Sequence, residues 1–411
     1  MTRCDTVLLA DRVITPTGEG PAAVAVAGGR IVAVTELRDA PPAVRTVQLA
    51  DDEVLMPGLV DTHVHLQESG RPGWEGVESG TRAAALGGTT TVVDMPLDGL
   101  PVTVDLASLE AKQRALRGRC GIDVGLWGGA VPGMAGMVEL QLAGVLGFKA
   151  FLAPSGCQEF LPLSPVELTA ALRKLVPTGL PLLVHAEDET HALPLRSPAP
   201  SYATYLASRP ATVETAAVAV VIDAVRSVGG RAHVVHVSSA GAVELLRAAR
   251  REGLRVTAET CPHYLVRPAE TIGDGDTRVK ALPAVRGAAE ADVLWQALAD
   301  GVLDLVVSDH SPCAPGTKST GDFVLAPPVC RHSSSDCPSC GARHGAEDTA
   351  CWTWPAGWRR RPLTWQGSPA RAGSRWAPTP TWSSWPPTTR SSSSPRTSRT
   401  ASAVRRTTAG N

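Results

Sequence analysis

The sequence has few aromatic residues, no long apolar run and no regular cysteine pattern. Aromatic residues make up 4% of the 411 positions, but hydrophobic residues reach 43% and charged residues only 19%, which excludes a chain that is disordered throughout. No apolar segment approaches the roughly 18–20 residues of a membrane-spanning helix, and the first ten residues do not resemble a secretion signal. The nine cysteines are an odd number without framework spacing. We therefore expect a cytoplasmic protein with reduced thiols and no membrane partner.

Charge and composition change abruptly after Phe323. The net charge is −1, but residues 324–411 contain 12 Arg, 3 acidic residues and no Lys, Ile, Phe or Tyr. Seven of the ten Trp lie in the same stretch, which has no apolar period for a helix or a strand. One interpretation is a disordered basic tail that binds nucleic acid.

A shifted reading frame explains this tail better. Residues 376–389 read WAPTPTWSSWPPTT, and regrouping their codons by one nucleotide can encode Gly-Ala-Asp-Ala-Asp-Leu-Val-Val-Leu-Ala-Pro-Asp-Asp, a turn followed by an apolar strand. We predict a one-nucleotide frame break soon after Phe323. Residues 324–411 are then a frame-shifted, largely disordered tail, and we expect no nucleic-acid partner.

Short β-branched runs alternate with helical segments from residue 54 to residue 323. Eight strands in such alternation, over about 250 residues, predict an α/β fold with a (β/α)8 TIM-like barrel. The predicted strands are Val54–Leu66, Thr89–Pro96, Ile122–Gly128, Val145–Leu152, Pro181–Ala186, Ala232–Ser238, Arg255–Thr260 and Leu303–Asp309. The predicted helices are Val77–Leu86, Leu106–Leu116, Pro165–Leu175, Val213–Val228, Ala242–Arg251 and Ala288–Leu298.

Residues 1–53 predict a separate small β-sheet domain. Thr6–Val13, Ala22–Ala27 and Arg30–Val34 read as strands, with Gly28-Gly29 as a hairpin turn. Three strands are too few for a stable domain, so we expect a C-terminal segment to complete the sheet.

Polar residues end several barrel strands, which is the catalytic face of such a fold. His63 and His65 are two apart in a strand, so their side chains point to the same side and can bind one ion. His185, His236 and Asp309 each end a later strand and add ligands suited to zinc. His233 has odd spacing from His236, so we expect it on the opposite face, in packing or at the surface.

Lys149 ends the fourth strand among apolar neighbours. An ammonium group is costly there unless it snorkels to the rim. The alternative is a lysine that loses its proton, reacts with carbon dioxide and becomes a carbamate that bridges two metal ions. Four histidines and an aspartate at neighbouring strand ends favour this second interpretation.

Together these motifs resemble the cyclic amidohydrolases, which include dihydroorotases, hydantoinases, dihydropyrimidinases and allantoinases. The resemblance runs from about Thr6 to Phe323. It implies that His63 and His65 bind one metal ion and that His185 and His236 bind the other, with carboxylated Lys149 as the bridge. It also implies that Asp309 is both a ligand and the proton shuttle. The motifs that carry it are Met56 to His65, Gly147-Phe148-Lys149, His185-Ala186-Glu187, Val235 to Ser238 and Ser308 to Pro312.

Within this family the sequence most resembles the allantoinases. Asp94-Met95-Pro96-Leu97, Glu259 to Tyr264 and Ser308 to Cys313 are close to their loops, and Gln67 replaces the Arg of dihydroorotases. The resemblance implies hydrolysis of allantoin to allantoate by a metal-bridged hydroxide, with two divalent ions, zinc by expectation, as cofactors. It also implies a homo-oligomer, by expectation a tetramer. The candidate substrate contacts are Gln67, Asp98, Ser155 and Leu282.

Two alternatives remain. One is a hydantoinase or dihydropyrimidinase; the other, of a different class, is a non-catalytic assembly protein of the same fold. Asp98 departs from the usual Asn of allantoinases. Without the eighth helix and the C-terminal strands, we expect the chain as written to be unstable or inactive.

Overall fold

A computed structural model of the chain describes residues 3–67, 75–134, 136–314 and 316–328, which divide after Gly58 into two compact units. The predicted frame-shifted tail falls on residues 324–411, of which 329–411 lie outside the described residues. In the described part of the chain, no helix combines the length and the apolar character needed to traverse a bilayer.

The first unit contains a four-stranded sheet. A hairpin joins its second and third strands through Gly28 and Gly29, whose φ angles of 56° and 72° suit glycine. The fourth strand, which follows Pro41-Pro42 and was not predicted, pairs in parallel with the first. The sheet order is β3-β2-β1-β4, and the strands are β1 (Cys4–Thr15), β2 (Gly18–Ala27), β3 (Arg30–Thr35) and β4 (Ala43–Gln48).

The second unit is the barrel, and its strands follow one another in chain order with parallel pairing. Val64 forms a parallel bridge with His310, and the His65 N–H donates to the His310 carbonyl oxygen at 2.7 Å, so the first strand meets the chain just after the last one. The strands are β5 (Leu59–Val64), β6 (Thr89–Asp94), β7 (Asp123–Leu126), β8 (Gly128–Gly129), β9 (Phe148–Phe151), β10 (Leu182–His185), β11 (Ala232–Val234), β12 (Val256–Thr260) and β13 (Leu305–Val306).

Helices connect these strands, and the six predicted ones are all present. Local signals fix some of their ends: Ser164 and Glu167 form a reciprocal capping box at the start of one helix, with Pro165 in its first turn. The helices are α1 (Val77–Leu86), α2 (Leu106–Leu116), α3 (Met137–Leu142), α4 (Pro165–Leu175), α5 (Tyr202–Ser208), α6 (Thr212–Val228), α7 (Ala240–Arg251), α8 (Pro262–Val266) and α9 (Ala288–Ala299). The sequence patterns did not predict α3, α5 or α8.

Alternate residues of the barrel strands face two different cores. In β9, Phe148 and Ala150 pack in the large cluster formed with the helices, whereas Phe151 belongs to a smaller cluster with Trp127 and Leu183. Lys149 lies on the same side of the strand as Phe151, so its side chain points away from the helices. The predicted α/β fold, a barrel with an N-terminal sheet, is confirmed.

Candidate metal centre

The four predicted histidine ligands form one contiguous cluster of buried rings. The ring centroids of His65 and His63 are 5.6 Å apart, those of His63 and His236 are 5.5 Å apart, and those of His236 and His185 are 4.7 Å apart. None of the four is more than 7% exposed. Three strand ends, those of β5, β10 and β11, therefore bring together residues that lie far apart in the sequence.

The backbone bends sharply where several site residues leave their strands. Gln67, Asp98, His236 and Asp309 have positive φ angles of 52°, 69°, 41° and 51°, and Met134 is the only other non-glycine residue with positive φ in the described part of the chain. Such conformations cost of order 1–3 kcal/mol each and persist where the surrounding structure holds them. Their concentration around the histidine cluster shows that strained backbone conformations orient these side chains.

His63, His65 and Asp309 form the first group of the cluster. Asp309 Oδ1 lies 3.3 Å from His63 Nε2 and 3.7 Å from His65 Nε2. One ligand atom from each residue lies within 4.8 Å of the others, which suits a single cation. Burial, followed by repulsion from Lys149, lowers the pKa of His63, so its neutral imidazole is available as a ligand.

His185, His236 and Lys149 form the second group. His185 Nδ1 and His236 Nε2 face each other at 3.0 Å. Burial lowers the pKa of His236 well below its usual value, and the neighbouring His185 and Lys149 lower it further. Two imidazoles whose nitrogens face one another can share one proton or hold one cation.

Lys149 is 1% exposed, and its Nζ lies 4.9 Å from the centre of the Phe151 ring, which stacks on His185. Burial lowers the pKa of its amine to about 8, although Asp309 and Glu259 oppose this shift. The amine does not snorkel to solvent. With a pKa of about 8, roughly a tenth of the amine is neutral at pH 7, and the neutral form is the one that reacts with carbon dioxide.

A carboxylate stands behind three of the four rings. Glu259 Oε1 lies 2.5 Å from His63 Nδ1, Asp98 Oδ2 lies 2.8 Å from His65 Nδ1, and Glu187 Oε2 lies 2.8 Å from His185 Nε2. In each ring the opposite nitrogen faces the cluster. The contacts of His63 and His185 are hydrogen bonds, and carboxylate partners of this kind fix the tautomer of a metal-binding histidine. The His65–Asp98 contact is close but lacks hydrogen-bond geometry.

These supporting roles were missed from the sequence. Glu259 and Glu187 entered the sequence argument only as parts of family motifs, and Asp98 only as a candidate substrate contact. An acidic residue at the end of an apolar strand could have indicated such a role, because a buried charge is costly unless it is paired.

The expectation for His233 was wrong in part. His233 is 8% exposed, and its Nε2 lies 2.9 Å from Glu259 Oε2, so it is an interior residue bonded to the partner of His63. Alternation does place His233 and His236 on opposite faces of a regular strand. However, β11 ends at Val234, and the positive φ of His236 turns its ring into the cluster.

The candidate substrate contacts lie in different surroundings. Gln67 is 4% exposed, and its Nε2 donates to the Pro312 carbonyl oxygen at 2.6 Å. Ser155 Oγ donates to the Phe160 carbonyl oxygen at 2.7 Å, within a local turn. Leu282 lines a cavity of about 250 Å³ together with Tyr205, and none of the predicted metal ligands is among the described residues that line it.

The donor set fits divalent ions. His63 Nδ1 must donate to Glu259, so the neutral ring presents a lone pair at Nε2 towards the Asp309 carboxylate. A lone pair and a carboxylate oxygen repel each other unless a cation or a proton lies between them. His236 Nδ1 is buried without a hydrogen-bond partner among the described residues, which leaves its Nε2 to the second group.

Comparison with known proteins agrees with this geometry. The sequence profile of the amidohydrolase family matches residues 54–324. An allantoinase from Streptomyces avermitilis is 47% identical over 329 residues, which cover 79% of this chain and 74% of that protein. A probable allantoinase from Oryza sativa subsp. japonica is 42% identical, over 78% of this chain and 67% of its own length.

Among solved structures, an L-hydantoinase (dihydropyrimidinase) from Arthrobacter aurescens superimposes with a TM-score of 0.76 at 28% identity, over 82% of this chain and 76% of the other. The family profile covers the barrel with all six predicted metal ligands, and the relatives match over most of the chain. The chain therefore belongs to the amidohydrolase family.

Proposed function

We propose that this chain hydrolyses a cyclic amide and that its substrate is allantoin, which it opens to allantoate. The observation that carries this proposal is the convergence of four buried imidazoles with Asp309 and Lys149. The similarity to allantoinases, at 47% identity for the Streptomyces avermitilis protein, supports the choice of substrate.

The family implies a divalent-metal site, and we propose that the cluster holds two ions, which we take to be zinc. Imidazole and carboxylate donors suit this metal. When bound, such ions lower the pKa of a water molecule and polarise a carbonyl group. We assign His63 and His65 to one ion, His185 and His236 to the other, and Lys149 and Asp309 to positions shared with them.

Lys149 would act after carboxylation. Its neutral amine attacks the carbon of carbon dioxide, a nitrogen–carbon bond forms, and a proton leaves to give a carbamate anion. Burial favours this reaction because it lowers the pKa of the amine to about 8, although the carboxylates of Asp309 and Glu259 oppose the shift. The product replaces a buried positive charge with an anion suited to cation binding.

Asp309 would carry the proton. Its side chain is 14% exposed whereas that of His63 is 1% exposed, so Asp309 lies at the accessible edge of the cluster. We propose that its carboxylate takes a proton as water adds to the cyclic carbonyl carbon. It then returns the proton to the ring nitrogen as the carbon–nitrogen bond breaks.

The substrate contacts remain proposals. Gln67 and Asp98 adjoin the histidine cluster, because Gln67 follows His65 by two residues and Asp98 contacts His65 directly. Ser155 Oγ is engaged in a turn, so Ser155 would contribute through its backbone. Leu282 lines a cavity whose described lining residues include none of the predicted metal ligands, so its proposed role rests on the family resemblance alone.

The decisive experiment measures hydrolysis of allantoin and of 5-substituted hydantoins, together with the metal content of the protein. It uses the chain as written and the frame-restored chain. We expect two divalent ions per frame-restored chain and preferential allantoin turnover that a chelator abolishes and zinc restores. Preference for hydantoins would support the alternative that the Arthrobacter aurescens structure favours. Full metal content without turnover of either ring would overturn the enzymatic proposal in favour of a non-catalytic assembly protein.

The domain boundaries, the localisation and the oligomeric state are proposed from the sequence. We propose a small N-terminal sheet domain at 1–53, a hydrolase barrel at 54–323 and a frame-shifted tail at 324–411. We also propose a cytoplasmic homo-oligomer, by expectation a tetramer. Resequencing the gene after the Phe323 codon tests the frame break, and light scattering of the frame-restored chain tests the assembly.

A further inference from the structure

Glu259 is a carboxylate placed in the interior of the barrel. It lies in β12, which pairs with β11 on one side and with β13 on the other, and it is fully buried. An isolated carboxylate in such a place is very costly, so its partners must hold it.

The two oxygens of Glu259 contact two different rings. Oε1 lies 2.5 Å from His63 Nδ1, and Oε2 lies 2.9 Å from His233 Nε2. An ionised carboxylate only accepts hydrogen bonds, so both ring nitrogens must donate. For the neutral His63 ring this leaves the lone pair on Nε2, the nitrogen that lies 3.3 Å from Asp309 Oδ1.

His233 continues this arrangement away from the cluster. Its Nδ1 lies 2.8 Å from Thr257 Oγ1, and His233 pairs directly with Thr257 in the register of β11 and β12. The hydroxyl of Thr257 can donate to Nδ1 while Nε2 donates to Glu259. His233 therefore has partners at both ring nitrogens, and within the described part of the chain it makes none of the ring contacts with His63 and His185 that His236 makes.

We propose that Glu259 and His233 are a pair of positioning residues that hold His63 in the tautomer and orientation needed to bind metal. Glu259 fixes the proton on His63 Nδ1, and His233 fixes the direction of the Glu259 carboxylate. The inference rests on the proposed metal site but does not depend on which cyclic amide is hydrolysed. This inference assigns a role to His233, which is buried near the cluster but is not one of the proposed metal ligands.

The sharpest variant is Glu259→Gln, which keeps shape but has one accepting and one donating end. In the parent, His63 Nδ1 and His233 Nε2 both donate to Glu259. Whichever way the Gln amide is oriented, its NH₂ group faces one of these two donors, so one of the two hydrogen bonds is lost. The expected result is a 10-fold to 100-fold loss of metal affinity, of the order seen for such partners of metal ligands. Affinity is measured by competition with a chromogenic chelator, and metal per chain by elemental analysis.

A matched pair at His233 separates positioning from mere packing. His233→Gln keeps a donor near the position of Nε2, whereas His233→Leu removes it and keeps comparable bulk. The expected order of metal affinity is parent, then His233→Gln, then His233→Leu, with the last close to Glu259→Gln. If Glu259→Gln fails to fold, this ordering decides the inference.

Glu214→Gln is the control for loss of a buried carboxylate. Glu214 is 2% exposed and accepts hydrogen bonds from Ser238 N and Oγ, and no described histidine is among its partners. We expect it to lower the melting temperature while the metal content is retained. The inference fails if Glu259→Gln keeps the metal affinity of the parent, or if both histidine variants bind metal equally well.

The outcome is separable from that of the proposed function. All variants are prepared in the chain as written and in the frame-restored chain. Metal binding by the parent without allantoin turnover would refute the substrate and leave the positioning role standing. A parent that binds no divalent metal in either chain would overturn both.

Discussion

The two groups of the histidine cluster are held in different ways. In the first group, His63 and His65 each have a carboxylate at Nδ1, and both Nε2 atoms face Asp309. In the second group, His185 has Glu187 behind it, but His236 Nδ1 is buried without a hydrogen-bond partner among the described residues. The first group thus has a carboxylate within 2.8 Å of both Nδ1 atoms, although among the described residues His65 Nδ1 accepts or donates no hydrogen bond, as is true of His236 Nδ1, whereas the second group has a carboxylate behind His185 alone.

The largest expected effect comes from Asp309, which closes the first group. Asp309→Asn keeps the shape but removes the proton acceptor, so we expect kcat for allantoin to fall by about 10²–10⁴-fold. Steady-state assays of the frame-restored chain measure this. Asp300→Asn, which changes an acidic residue paired with Arg247 outside the cluster, is the control and should leave kcat within about twofold of the parent. Turnover by Asp309→Asn near the parent rate would remove Asp309 from the mechanism.

Lys149 should matter most to the second group. Lys149→Met cannot form a carbamate, so we expect the number of metal ions per chain to fall from two to at most one, with turnover lost. Elemental analysis gives the metal count, and carbon-13 spectra after equilibration with labelled bicarbonate detect the carbamate in the parent. Lys280→Met is the control, because Lys280 is another buried lysine whose pKa burial lowers to about 8, yet its Nζ donates to the Ala326 carbonyl oxygen. A full metal count in Lys149→Met would contradict the bridging role.

Smaller effects are expected from the supporting carboxylates, one in each group. Asp98→Asn and Glu187→Gln keep shape and remove a charge beside His65 and His185, and each should weaken metal binding by about tenfold. Chelator competition measures both affinities. For Asp98→Asn, a raised KM with unchanged metal affinity would instead make Asp98 a substrate contact.

The smallest effect concerns pH and the lysine outside the cluster. Burial lowers the folded-state pKa of Lys280 from 10.5 to about 8, so the charged form is disfavoured in the fold. Its cost is full below pH 8 and fades as the pH rises towards 10.5. We therefore expect the parent to gain stability relative to Lys280→Met over this window, measured by urea unfolding. A stability difference that does not vary with pH would show that the folded-state pKa of Lys280 is not lowered.

The sequence predicts the barrel well because each element has a local signal. The capping residues of α4, the β-branched run of β6 and the apolar run of β10 depend on nearby positions alone. The strand β4 lacks such a signal, because its pairing partner β1 lies some forty residues earlier and two prolines precede it. Short helices such as α5 and α8 are likewise held by tertiary contacts of Tyr205 and Tyr264 rather than by their own periodicity.

For the site, residue type and strand end predicted the proposed ligands but not their supports. His185 and His236 are recognisable because imidazoles at strand ends are unusual. That Glu259 reaches both His63 and His233 depends on the register of neighbouring strands and on the backbone turn at His236, and neither can be read from a single sequence. The family resemblance identified the motif that contains Glu259, but it did not predict that Glu259 contacts His63 and His233.

The bridge between Val64 and His310 has a consequence for synthesis on the ribosome. His63 and His65 emerge early, but their partner Asp309 and the segment that closes the ring come some 246 residues later. At elongation rates of about 5–20 residues per second, the nascent first strand waits roughly 12–50 s with one edge open. During that interval a chaperone has access to an apolar strand edge, and metal loading must follow release of the segment around residue 310.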